Sequence, residues 1–167
     1  MLLDASGPIV DHWTNLDDPE FEIQQDGQVI VPLHRLGQAL ERRAATGVLI
    51  PNDADLEELK PFFNRLDLIA VDFPSFADGR GFSIAVRLRD LGYRGRLRAH
   101  GPVIADQFAY LLDCGFDEAW VPDAVADRQP AEQWLAQLGK ITHVYQRGRP
   151  GQRSILDQRR DARVSAG

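Results

Sequence analysis

The sequence predicts a single α/β domain built on a parallel sheet, and three observations carry that reading. Apolar runs without polar alternation recur at 48–50, 68–71 and 119–121, as in strands buried on both faces. Each is followed by a stretch with apolar residues at helical spacing. The repeat takes roughly 20–30 residues, the length of a strand–helix unit. About four such units follow one another, preceded by a short N-terminal β extension. They suit either a small doubly wound sheet or a partial β/α barrel. The expected organisation is an extended segment over 1–30 packed on the domain, an α/β domain over 31–145, and a flexible Arg-rich tail over 146–167.

The elements follow in order. Pro8-Ile9-Val10 and 28–31 are the best early strand candidates, with Asp26-Gly27 as a turn between them. Pro32 suits a first helical position, and Leu33, Leu36 and Leu40 continue with helical spacing. Glu41, Arg42 and Arg43 are expected on the outer side of that helix, and Gly47 at its stop. Leu56, Leu59, Phe62, Phe63 and Leu66 mark a second helix. Phe82, Ile84, Ala85, Leu88 and Leu91 mark a third, closed by Gly92. A more polar strand over 96–99 precedes a helix carrying Ile104, Phe108, Leu111 and Leu112, stopped by Gly115. A last helix over 130–138 turns Trp134 and Leu135 inward.

Composition narrows the function classes. With 167 residues and 44% apolar content, the chain can build one core. No run approaches the ~18–20 apolar residues of a membrane span, and the N-terminus lacks the basic start of a secretory signal. Neither a membrane nor nucleic acid is expected as a partner, because the net charge is −6 and phosphate binding wants a basic face. A single cysteine, Cys114, rules out an intrachain disulfide, a Cys-x-x-Cys pair and a four-thiolate cluster held by one chain. It fits a reducing cytoplasm. Cys114 reads as a buried structural thiol. His12, His34, His100 and His143 show no i,i+4 metal spacing, so no metal site is expected. The residues identify no cofactor.

In either topology, ligands sit beyond the carboxyl ends of the strands. The loops over 51–55, 72–81, 100–102 and 122–125 share that edge, and the second is the longest and most polar. Asp72 and His100 are its acid/base candidates. Asp78, Gly79, Arg80, Gly81 and Ser83 are its ligand-binding candidates, because two glycines flank an arginine where a helix begins. Free N–H groups and a guanidinium fork there suit an anion. The alternative is structural: the glycines shape a tight turn, Arg80 pairs with Asp78 or Asp72, and Asp78 caps the helix. Asp106 and Gln107 fall in the first turn of the next helix, where acidic charge is favourable.

The run Phe73-Pro74-Ser75-Phe76-Ala77-Asp78-Gly79-Arg80-Gly81-Phe82-Ser83, with Leu91-Gly92-Tyr93-Arg94-Gly95, Asp106-Gln107 and Cys114-Gly115-Phe116-Asp117, resembles a bacterial domain-of-unknown-function family. Its genes neighbour assimilatory sulfite reductase, and its members are often named as oxidoreductases of sulfite reduction. The resemblance spans most of residues 30 to 125 and stops short of the tail after Gln146. It implies a role in sulfur assimilation, with sulfite reductase as partner. Six-electron reduction uses iron–sulfur and haem chemistry that one cysteine cannot hold. An accessory protein binding an anion or a partner at the loop from Asp72 to Gly81 is therefore expected. The alternatives are an enzyme on a small anionic substrate and a non-catalytic interaction module.

Overall fold

The computed structural model describes residues 1–15, 22–23 and 25–138. The expected tail over 146–167 lies outside them. Among the described residues, eight strands form one sheet: β1 (Leu2–Asp4), β2 (Gly7–Pro8), β3 (Trp13–Asn15), β4 (Gln28–Pro32), β5 (Thr46–Ile50), β6 (Leu68–Asp72), β7 (Arg96–His100) and β8 (Glu118–Trp120). The order across the sheet is β2-β1-β8-β7-β6-β5-β4-β3. From β3 to β8 every pairing is parallel and each strand lies beside its predecessor, whereas β1 pairs antiparallel with both β8 and β2. A doubly wound sheet needs a reversal of strand order, and this one has none. The winding is that of a partial β/α barrel, and its parallel run of six strands is longer than the four units the sequence suggests.

The same order forces the sheet to curl. β2 and β3 lie at opposite edges, seven spacings apart, or roughly 33 Å if the sheet were flat. Only residues 9–12 join them, and five extended residue steps reach about 18 Å at most. The edges must therefore approach each other, with residues 9–12 strung between them across the concave side.

The helices are α1 (Leu36–Ala39), α2 (Leu56–Leu59), α3 (Arg80–Asp90), α4 (Ala105–Cys114), α5 (Asp123–Ala126) and α6 (Ala131–Leu138). They cover one face. Val48, Ile50, Ile69, Val71, Leu97, Ala99, Ala119 and Val121 share a core with Leu56, Phe82, Leu88, Phe108 and Trp134. Consecutive parallel strands joined by right-handed crossovers place their helices on a single side. The other side chains of the same strands point into the curl.

That inner face holds an unusual layer. In register across the sheet lie Leu49, Ala70, Arg98, Glu118 and Asp4. Arg98 and Glu118 are each 2% exposed, and Arg98 Nε donates to Glu118 at 2.7 Å. The same guanidinium donates through both terminal nitrogens to Asp11, at 2.8 and 3.0 Å. Asp11 belongs to the crossing segment, so this fork ties the strap to the centre of the sheet. Beside it the ring of Trp13 lies over Gly47, where a Cβ would come within 3.2 Å of Trp13 and 3.1 Å of Ile30.

Several local expectations change. Gly47 is a strand residue and not a helix stop, because this close approach needs its missing side chain. Pro32 ends β4 instead of opening a helix, and only a 3₁₀ turn (Leu33–Arg35) and the short α1 follow. Arg42 is not outward: it is buried and donates to the carbonyls of Asp26 and Gly27. The helix expected over 56–66 stops as α2 and continues as a 3₁₀ helix (Lys60–Arg65), since Pro61 has no N–H for the α-helical ladder. Near the N-terminus the strand is Gly7–Pro8, because Val10 already belongs to the segment leaving the edge.

Breaking a buried pair strands its partner's charge. Arg98→Met should therefore destabilise by about 3–5 kcal/mol in urea denaturation, with Glu118 left only the half-exposed Arg96 at 2.8 Å. Adding Glu118→Leu should recover much of that loss.

Candidate functional site

The carboxyl ends of β6, β7 and β8 are fastened beyond the strands themselves. The Phe73 amide donates to the His100 carbonyl at 2.7 Å, and the Gly101 amide to the Trp120 carbonyl at 3.1 Å. Gly101 has φ +132°, and a Cβ there would strike the Phe73 carbonyl, so this joint requires glycine. Asp72, His100 and Trp120 are consecutive partners in register and face the interior of the curl. All three are half-buried. The imidazole of His100 stacks flat on the Trp120 indole, with centroids 4.2 Å apart and planes 7° from parallel. The two acid/base candidates, 28 residues apart in sequence, are thus neighbours across one strand spacing.

The loop after β6 is organised from within. Phe73 is fully buried and packs edge-on against Phe82 at 5.4 Å and tilted against Phe116 at 5.8 Å. Ser75 Oγ accepts from the Ala77 amide, and the Ser75 carbonyl from the Asp78 amide. Gly81 meets the Phe73 ring so closely that a Cβ would overlap it. Its missing side chain makes room for that ring. Gln107, on α4, accepts from the Ile104 amide and donates to the Phe76 carbonyl at 2.7 Å, clamping the loop to that helix. Ser83 lies exposed on α3.

Asp78 and Arg80 are joined by the pairing that the structural alternative expected. Arg80 Nε and Nη2 donate to the Asp78 carboxylate at 3.0 and 2.7 Å, and the Arg80 amide donates to Asp78 Oδ1 at 3.2 Å. Asp53, from the loop after β5, lies 3.8 Å from Arg80 Nη1. The guanidinium hydrogen bond, helped by the buried Asn52 side chain and the Arg80 amide, holds the Asp78 carboxyl well below the usual carboxylate range. Asp78 in turn raises Arg80. Arg80 is still 59% exposed. An anion at this rim has to share that fork with two carboxylates.

The exposed apolar side chains of this loop and of α3 and α4 were not singled out from the sequence. Phe76 at the loop tip is 54% exposed, Tyr110 on α4 is 53% exposed and Val86 on α3 is 42% exposed. Tyr110 lies 4.9 Å from the Phe82 ring, and Gln107, one turn earlier on its helix, holds the Phe76 backbone. A hydrogen bond with the buried Cys114 raises the Tyr110 phenol. Trp120 and Asp11 were also missed. The motif did include Phe76, and the odd feature there was an aromatic side chain in a loop with no helical or strand period to bury it.

These features define a singly wound α/β protein with a polar, partly aromatic rim at the carboxyl ends of its strands. A family model described as "Bacterial protein of unknown function (DUF934)" matches residues 47–156, more than half of the chain, and the chain belongs to that family. The match runs past Gln146, further than the resemblance read from the sequence. No curated protein and no solved structure matches.

Folding favours the ionised form of Asp78. Its contribution to stability is therefore complete above the ordinary aspartate value of about 3.9 and fades as pH falls towards the lower, folded value. In a carboxyl ¹³C titration, Asp78 should show a midpoint well under that value. Arg80→Ala should move the midpoint upward.

Proposed function

We propose that this chain is a partner-binding accessory protein. It docks another protein through the apolar surface of Phe76, Tyr110 and Val86, with Arg80 at its margin. The observation that carries this is the loop itself. Phe73, Ser75, Asp78 and Gly81 are all engaged internally, while an aromatic side chain is left facing solvent at the tip. Such exposed aromatics beside an arginine are the residues that dominate protein interfaces. The resemblance to proteins encoded beside assimilatory sulfite reductase makes that reductase the partner of choice. The same reading explains a chain with one cysteine working beside six-electron chemistry: it supplies contacts and not electrons.

A second reading rests on a different observation, the Asp72–His100 neighbourhood at the mouth of the curl. A carboxylate next to an imidazole can orient and polarise it for proton transfer, as an enzyme acting on a small anionic substrate would need. Arg80 would contribute the anion contact in that scheme, in competition with Asp78 and Asp53.

The two readings are separated by variants that leave the fold intact. Phe76→Ala with Tyr110→Ala should weaken capture of sulfite reductase by at least tenfold in a binding titration, with little change in melting temperature. The same double variant should fail to support growth on sulfate. Loss of growth in Asp72→Asn or His100→Gln, with capture of the reductase unchanged and growth normal in the Phe76/Tyr110 variant, would instead establish the enzyme reading.

A further inference from the structure

We propose a second binding site, for a small dianionic oxyanion, at the end of the sheet opposite the Asp72 rim. A hollow of about 460 Å³ lies there, lined by Asp4, Ser6, Arg94, Arg96 and Asp117 among others. β7 and β8 start at this end, and the antiparallel β1 ends there, which is why residues so far apart in sequence meet.

Arg96 and Arg98 are alternate residues of β7, so their side chains fall on one side, and Arg94 precedes the strand across the bend at Gly95. Exposure falls along this run. Arg94 is exposed, Arg96 is 50% exposed and Arg98 is 2% exposed. The deepest is balanced by Glu118 and Asp11, and Arg96 shares Glu118.

The acids around the hollow are already engaged. Asp117 accepts from Arg89 Nη2 at 2.7 Å and from the Leu97 amide at 2.8 Å. Asp4 accepts from the Ser6 amide at 2.8 Å and the Ser6 hydroxyl at 2.6 Å. Arg94 makes no hydrogen bond or ion pair among the described residues.

The floor between the two arginines is rigid. Gly95 abuts the Tyr93 hydroxyl and the Leu66 carbonyl so closely that a Cβ has no room. Tyr93 is fully buried, its hydroxyl donating to the Leu66 or Arg96 carbonyl at 3.2 and 3.3 Å. Arg94 and Arg96, on either side of this glycine, therefore border one hollow on a fixed backbone. Planar forks in that arrangement suit the several oxygens of a tetrahedral dianion better than a single carboxylate. This site is independent of the partner surface proposed on Phe76, Tyr110 and Val86.

The test is calorimetric titration of the full chain with inorganic phosphate at low ionic strength and slightly alkaline pH. Saturable one-to-one binding is expected, weakened about tenfold or more by Arg94→Ala and only partly by Arg94→Lys. Arg80→Ala should bind as the unaltered chain does. Amide shifts on adding phosphate should concentrate at residues 4–6 and 94–97. Arg94 is exposed, so its variants should keep their melting temperature, and an unchanged near-UV spectrum checks this. Absence of saturable binding, equal binding by Arg94→Ala, loss of binding in Arg80→Ala, or shifts centred elsewhere would each overturn the proposal.

Discussion

The rest of the structure depends on keeping one guanidinium neutralised inside the curl. An arginine that is 2% exposed is tolerable only if its donors find acceptors and its charge finds an opposite charge. Arg98 achieves this with two carboxylates of different origin. Glu118 is its in-register partner on β8, so that bond is satisfied only when β7 and β8 pair as they do. Asp11 comes from the segment joining the two edges of the sheet, so its bond is satisfied only when the strap crosses at this height. One side chain thus couples strand register to curvature. Leucine at this position would fill space without specifying either.

The curl in turn creates two chemically different ends. At the carboxyl ends, inter-strand hydrogen bonds beyond the strands hold Asp72, His100 and Trp120 in a row, and the Phe73 aromatic cluster anchors the following loop. At the amino ends, Arg94, Arg96 and Arg98 run from exposed to buried at the entry to β7. The outer face is given over to helices and carries the core. Among the described residues, functional chemistry therefore has three places to sit: either end of the sheet, or the outer surface where α3 and α4 meet the loop from β6.

Much of this was legible from residue pattern, and the misses have physical causes. Strands β5 to β8 and helices α3, α4 and α6 declare themselves because apolar runs and 3.6-residue periodicity are local signals. The short pieces near the N-terminus do not: three-residue strands such as Leu2–Asp4 carry no period, and their pairing depends on β8 more than a hundred residues away. Gly47, Pro32 and Arg42 were each assigned by their commonest local role. Each is used for a tertiary one: a space beneath Trp13, the end of a strand, and a donor to a distant turn. Gly81, next to Arg80, is the same case. Gly81 reads as a ligand-approach glycine until the Phe73 ring is seen against it.

What the sequence determined by itself was the α/β class, the parallel character of the central strands, the edge on which Asp72, His100 and the loop from Asp72 to Gly81 fall, and that these 167 residues supply a single thiol. These follow from composition, periodicity and chain direction, which are properties of the chain read in order. Tertiary structure decided the winding of the sheet, the pairing of Arg80 with Asp78, the burial of Arg98 between Glu118 and Asp11, and the convergence of Asp4 and Arg94 on one hollow. Each is a contact between residues whose separation along the chain says nothing about their separation in space, or a choice among partners that local pattern leaves equal. Only closing the sheet on a strap five residue steps long makes those choices, because hydrogen bonds and charges must then be satisfied with whatever the curl brings within reach.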